Sequence, residues 1–88
     1  MTNMRYLLIT FMKKADGKID EQVQVAKSIK PKDIQTCNLI LDFKEKKVEK
    51  CMVNGTALPT TWDSIYEYYK NIYPSILERL DREANLEN

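Results

Sequence analysis

The residue types in this chain able to carry chemistry are its lysines, tyrosines and carboxylates and two cysteines; histidine is absent. Without histidine there is no Ser-His or Cys-His nucleophile pair, no His-ligated zinc and no histidine pH switch. Cys37 and Cys51 alone do not make a metal-ligand spacing. A hairpin joining their two segments sets Cys51 opposite a residue near 39–41 rather than opposite Cys37, and a bridge needs Cα atoms within about 7 Å, so two free thiols are expected. The close carboxylates Asp20-Glu21, Glu45 with Glu49, and Asp63 with Glu67 read as solvated faces or caps, lacking the burial or partner that acid/base work requires. Both glycines, Gly17 and Gly55, sit at turn positions, so there is no loop to cradle a phosphate. Thr60, Thr61 and Ser64 have no activating base beside them. A binding protein is therefore expected, with no catalytic residues, metal or cofactor.

Charge is the more informative signal. Lys+Arg number 14 against 13 Asp+Glu, a net +1 that excludes a strongly basic nucleic-acid scaffold and an acidic mimic. The distribution is uneven: residues 1–55 hold 11 basic and 7 acidic side chains, whereas residues 56–88 hold 3 basic and 6 acidic. The expected contact set for phosphate or an acidic surface is Lys13, Lys14 and Lys18 with Lys44, Lys46 and Lys47, gathered at one rim and diluted by Asp16 and Glu45. The same lysines would keep hairpin turns and edges soluble whether or not they bind anything. Lys27, Lys30 and Lys32 are expected at the opposite end. Among the tyrosines, Tyr66, Tyr69 and Tyr73 share a helical stripe with Trp62 and Ile76 and belong to the core. Tyr68 lies off that stripe and is the exposed aromatic, an adjunct to the lysines; Arg5 and Tyr6 are weaker candidates.

The elements that must position these residues change period along the chain. Residues 5–14 read as a strand with Leu7, Ile9 and Phe11 on one face and Tyr6, Leu8, Thr10 and Met12 on the other, apolar on both sides. Asp16-Gly17 is a strong hairpin signal leading into a second strand, 19–28. A three-residue loop with left-handed Gly17 is expected to pair Phe11 with Val23, Ile9 with Val25 and Lys13 with Glu21. Pro31 to Ile34 suggests one helical turn in the connection to a third strand, 37–43, with Cys37, Leu39, Leu41 and Phe43 inward. A fourth strand, 48–53, ends at the turn pair Asn54-Gly55, and 56–59 reads as a linker. From Thr60 or Thr61 as N-cap, apolar residues recur at helical spacing through Leu80, with Glu78 and Arg82 paired outside. The stripe keeps its phase across Pro74, so the helix, about 61–84, is expected to be kinked or broken there, with a bend favoured.

The resulting expectation is an α+β fold: a four-stranded antiparallel β-meander covered by a C-terminal amphipathic helix, one domain across residues 1–88. In a meander the first and third turns share an end, which is what would gather the six lysines. Its two open edges and second sheet face leave room for a homodimer. The apolar run Tyr6 to Met12 is far short of a membrane span and no small-residue cleavage site follows it, so a cytoplasmic chain without membrane contact is expected.

Met4-Arg5-Tyr6-Leu7-Leu8-Ile9-Thr10-Phe11 and Gly17-Lys18-Ile19-Asp20-Glu21-Gln22-Val23, with Gln35-Thr36-Cys37-Asn38, Asp42-Phe43-Lys44 and Lys47-Val48-Glu49-Lys50-Cys51, resemble small conserved proteins of large tailed bacteriophages. The resemblance spans about Met4 to Leu80 and carries no enzymatic signature, so it implies context rather than site residues. That context is a phage accessory protein in the host bacterial cytoplasm. Its implied role is to bind a host protein or an RNA–protein complex in host takeover or anti-defence, toxin inhibition being one case. Direct RNA or DNA binding is the second reading, and a virion structural or assembly component the third.

Overall fold

The computed structural model describes residues 3–53, 56–57 and 60–86. The expected Asn54-Gly55 turn lies outside them. Strands β1 (Tyr6–Lys13), β2 (Ile19–Ala26), β3 (Leu39–Asp42) and β4 (Lys47–Val53) form an antiparallel sheet, and the segment expected to be a linker adds a short β5 (Thr56–Ala57) beside β4. Helix α1 (Pro31–Thr36) lies in the connection before β3; α2 (Trp62–Ile72) and α3 (Pro74–Ala84) close the chain. The α+β class, the four-stranded antiparallel sheet and the C-terminal helical layer are as expected.

The strand order is not that of a meander. It runs β2-β1-β3-β4-β5, with β1 in the interior and the β2–β3 connection crossing from one side of it to the other. β1 itself suits the interior place: Leu7, Leu8 and Ile9 are all buried, Leu8 on the opposite face from its neighbours. A strand apolar on both faces is most stable in the middle of a sheet with cover on each side. Helices α2 and α3 cover one face, where Leu7, Ile9, Leu39, Leu41 and Phe43 pack against Tyr69, Leu77, Leu80 and Ala84. Leu8, Ile40 and Cys37 form a second cluster on the far face, closed by Tyr6, Ala26 and Ile29. Cys37 therefore faces away from Leu39 and Leu41, against expectation, because the strand begins only at Leu39. Both cysteines are free thiols, and Cys51 lies opposite Leu39.

The first hairpin has the expected three-residue loop. Lys14 N–H donates to Lys18 O (2.8 Å), Gly17 N–H donates to Lys14 O (3.0 Å), and Gly17 takes φ +86°. A Cβ at Gly17 would meet nothing within 4 Å, so the backbone conformation and not space requires glycine there. The register is two residues from the expected one: Ile9 pairs with Val23, Phe11 with Glu21 and Lys13 with Ile19. Closing the loop at Lys14 and Lys18 dictates this, and a two-residue shift leaves every side chain on its face. Asn38 does the work of the missing strand residues before β3. Its Oδ1 accepts from Phe11 N–H (2.9 Å) and its Nδ2 donates to Met52 O (3.2 Å), stitching β1 to β4.

Thr61 caps α2, its hydroxyl accepting from Ser64 N–H (3.3 Å). The helical stripe is divided into two helices rather than bent. Tyr73, at φ −126° and ψ 62°, ends α2 and precedes α3. Pro74 lacks an N–H for the next helical bond and disfavours helical geometry in the residue before it, which makes Tyr73 the break. On α3 the i,i+4 ion pair is Arg79–Glu83 (2.5 Å); the expected Glu78–Arg82 pair is not formed.

Burial of both faces makes a prediction. Ile40→Ala, on the side away from the long helices, is expected to cost about 2–4 kcal/mol in denaturant unfolding, the range for a filled core position. A cost below ~1 kcal/mol would mean that the far face is open.

Candidate functional site

Antiparallel pairing of β1 with both β2 and β3 sends their turns to opposite ends of the sheet. The β1–β2 hairpin carries Lys13, Lys14 and Lys18. The β3–β4 turn lies beside Arg5 and Tyr6, at the start of β1, since Tyr6 pairs with Asp42. The six lysines expected at one rim are thus parted. The separation is the length of β1, about 25 Å at ~3.3 Å per residue.

At the turn end the three expected lysines have different surroundings. Lys44 lines a cleft of about 130 Å³ with Arg5, Lys27 and Glu83, walled by Asn3, Ala84 and Leu86. Lys27 was expected at the far end from Lys44 and is its neighbour, because the β3–β4 turn lies at the start of β1, where β2 ends. Lys46, at φ 54°, lines a separate cleft with Asp63, Glu67 and Asp81 beside Trp62 and Tyr66, surroundings ill suited to phosphate. Lys47 forms an exposed ion pair with Glu49 (3.5 Å).

Asp42 organises this end. It is 1% exposed and takes both Arg5 Nε (2.8 Å) and Nη2 (2.7 Å), while its Oδ1 also accepts from the N–H groups of Lys44 (3.0 Å) and Glu45 (3.3 Å). Burial pushes its carboxyl up, but the Arg5 bonds and the two backbone donors outweigh that and hold it below its ordinary value. The Asp42 bond in turn raises Arg5 against the opposing effect of burial. Glu83 accepts from Arg79 Nε and from Met4 N–H (3.2 Å), and these two donors hold it below its ordinary value as well.

The hairpin end has a different character. Glu21, on the helix-facing side of β2, accepts from the phenols of Tyr73 (2.7 Å) and Tyr69 (3.4 Å), tying β2 to the junction of α2 and α3. Around this contact three apolar residues are exposed. Ile19 is 62% exposed on the same sheet face as Glu21, Tyr68 is 57% exposed with its ring edge-on to Tyr69 at 5.0 Å, and Ile72 is 44% exposed one helical turn beyond Tyr68. Tyr68 is the exposed tyrosine, as its phase predicts, and Tyr69 is buried. Ile19 and Ile72 were missed. The signal for Ile72 was its i,i+4 relation to Tyr68, which puts it on the shoulder of the stripe rather than its centre.

Tyr66 donates to Asp81 from the other side of α2, a bond that with burial pushes Tyr66 up to about 12; the Glu21 bond, with burial, pushes Tyr73 to about 12. Burial, then Glu21, raises Tyr69 also.

Among the described residues no cluster of His, Cys, Asp and Glu could hold a metal ion, and no helix is long and apolar enough to cross a membrane. No protein family, curated protein or solved structure matches the chain.

Asp42→Asn is expected to cost on the order of 2 kcal/mol, since it leaves a partly buried guanidinium without its counter-charge. Asp42 binds its proton less tightly folded than unfolded. Its contribution is therefore complete above the ordinary value of 3.8 and lost as pH falls through its lower folded value; Asp42→Asn should flatten that acid limb of the stability–pH curve. Tyr66 and Tyr73 have the opposite sign: their contribution is complete below pH 10 and lost between 10 and about 12. Alkaline unfolding of Tyr66→Phe should accordingly begin from a lower stability and show a shallower loss across that window.

Proposed function

We propose that this chain is a non-enzymatic accessory protein that acts by binding a partner protein through the hairpin end of its sheet. The observation that carries the reading is the exposure of apolar Ile19, Tyr68 and Ile72 on the two elements that Glu21 joins through Tyr69 and Tyr73, with Lys13, Lys14 and Lys18 on the adjoining hairpin. Aromatic and apolar anchors supply most of the energy of a protein interface, and rim charges set its on-rate and choice of partner. Lysines around an apolar centre favour a partner with an acidic rim. The resemblance to phage proteins supplies the setting, host takeover or anti-defence in a bacterial cytoplasm, and the partner is a host protein, alone or within an RNA–protein complex.

Direct nucleic-acid binding is less favoured. Two lysine groups about 25 Å apart lie well beyond the screening length of about 8–10 Å at physiological salt, so their attractions for one phosphate chain do not reinforce each other locally. Lys46 beside three carboxylates weakens the second group further.

Capture of the tagged chain from infected or expressing cells at low salt, with and without nuclease, followed by mass spectrometry and sizing, tests this. The expected result is a nuclease-resistant host protein. Lys13→Glu/Lys14→Glu/Lys18→Glu and Tyr68→Ala/Ile72→Ser should each release it by about tenfold or more in affinity, while Lys44→Glu/Lys46→Glu/Lys47→Glu retains it. RNA that leaves on nuclease treatment, a clean dimer carrying nothing, or recovery of the chain in purified virions would each overturn the reading.

A further inference from the structure

The cleft at the turn end has a charge balance of its own. Two of the ionic groups around it are neutralised internally: Arg5 by Asp42, and Glu83 by Arg79 with the Met4 N–H. What remains among the lining residues is Lys27 and Lys44. Neither ammonium group has a hydrogen-bond or ion-pair partner among the described residues. They come from elements far apart in sequence, the end of β2 and the turn after β3, and only the interior position of β1 brings them together.

We infer that this cleft binds a phosphate monoester. A monoester carries close to two negative charges at neutral pH, matching the two uncompensated lysines, whereas a diester or a carboxylate carries one. The Arg5 guanidinium, held in place by two bonds to Asp42, offers its remaining N–H groups as fixed hydrogen-bond donors that cost little side-chain ordering on binding. Ala84 and Leu86 form an apolar wall suited to the organic part of the ester. Among the described residues Glu45, next to Lys44 and close enough for its charge to act on Arg5, is a neighbouring carboxylate without an ion-pair partner, so it opposes the anion.

The test is a titration of the full chain with phenyl phosphate, followed by amide chemical shifts in two-dimensional NMR. Saturable shifts confined to the neighbourhoods of Arg5, Lys27, Lys44 and Leu86 are expected. Lys27→Ala/Lys44→Ala should weaken binding by about tenfold or more, and Glu45→Gln should tighten it by about twofold or more. Both lysines and Glu45 are exposed, so these variants keep the fold, which an unchanged thermal melt confirms. Diethyl phosphate and acetate are expected to bind at least about tenfold more weakly. Absence of saturable shifts by about 20 mM, unchanged affinity in the double lysine variant, or equal binding of diethyl phosphate would each overturn the site.

Discussion

β1 carries apolar side chains on both of its faces, and a strand so built is stable only where both faces are covered. Leu7 and Ile9 are fully buried against the long helices and Leu8 is buried against the crossover. The observed topology is one way of satisfying that requirement. β1 takes the interior of the sheet with β2 and β3 on its flanks, and the chain between these two crosses a face and supplies the second cover through Ile29 and Cys37. Each buried Leu or Ile contributes about 1.5–3 kcal/mol. Exposing Leu8 and Ile40 together would therefore forfeit a large part of the 5–15 kcal/mol by which a domain of ordinary stability stays folded.

Polar groups complete what the apolar faces begin, each joining elements that burial alone leaves loosely oriented. Asp42 ties the start of β1 to the β3–β4 turn, and because it also accepts from Lys44 and Glu45 the same carboxylate shapes the turn that presents Lys44. Glu21 ties β2 to the tyrosines at the break between α2 and α3. Asn38 adds side-chain amide bonds to its own backbone bonds with Ile9 and Met52, joining β1 to β4 just before β3. All three are polar residues in or beside strands, where isolated burial would be penalised by about 1–3 kcal/mol per unsatisfied group, and all three are satisfied.

Local features were legible in the sequence and long-range placement was not. Asp16-Gly17 announced a three-residue hairpin loop, Thr61 announced a helix start, and helical phase separated exposed Tyr68 from buried Tyr69. These depend on residues within a few positions of one another. Strand order is different, because alternation tells which face a side chain takes but not which strand lies alongside. The apolar character of both faces of β1 was visible, yet it is equally met by a meander with a partner on its second face. The lysine rim failed for that reason: its assembly rested on strand order alone. Glu21 was read as a solvated carboxylate because nothing local reveals that two phenols, 48 and 52 residues away, reach it. Pro74 was correctly placed as an interruption, but periodicity does not distinguish a bend from a break when the second helix resumes in phase.

The same topology that divides the lysines gives the molecule two ends of distinct chemistry: an apolar cluster with lysines at the hairpin, and a basic cleft beside an acidic one at the turn. Energetic coupling between sites requires an element with two arrangements that each site biases. Among the described residues β1 is the strand that runs between the two ends with both flanks paired, to β2 along its whole length and to β3 over its first half. A one-residue slip in it would turn Leu7 and Ile9 out of one core and Leu8 out of the other at once, so its register has no accessible alternative. With the connecting element held in a single arrangement and the charges at its ends screened from each other, the contacts proposed for the two ends are expected to be additive. The scaffold is built to keep two surfaces at a fixed distance rather than to pass a signal between them.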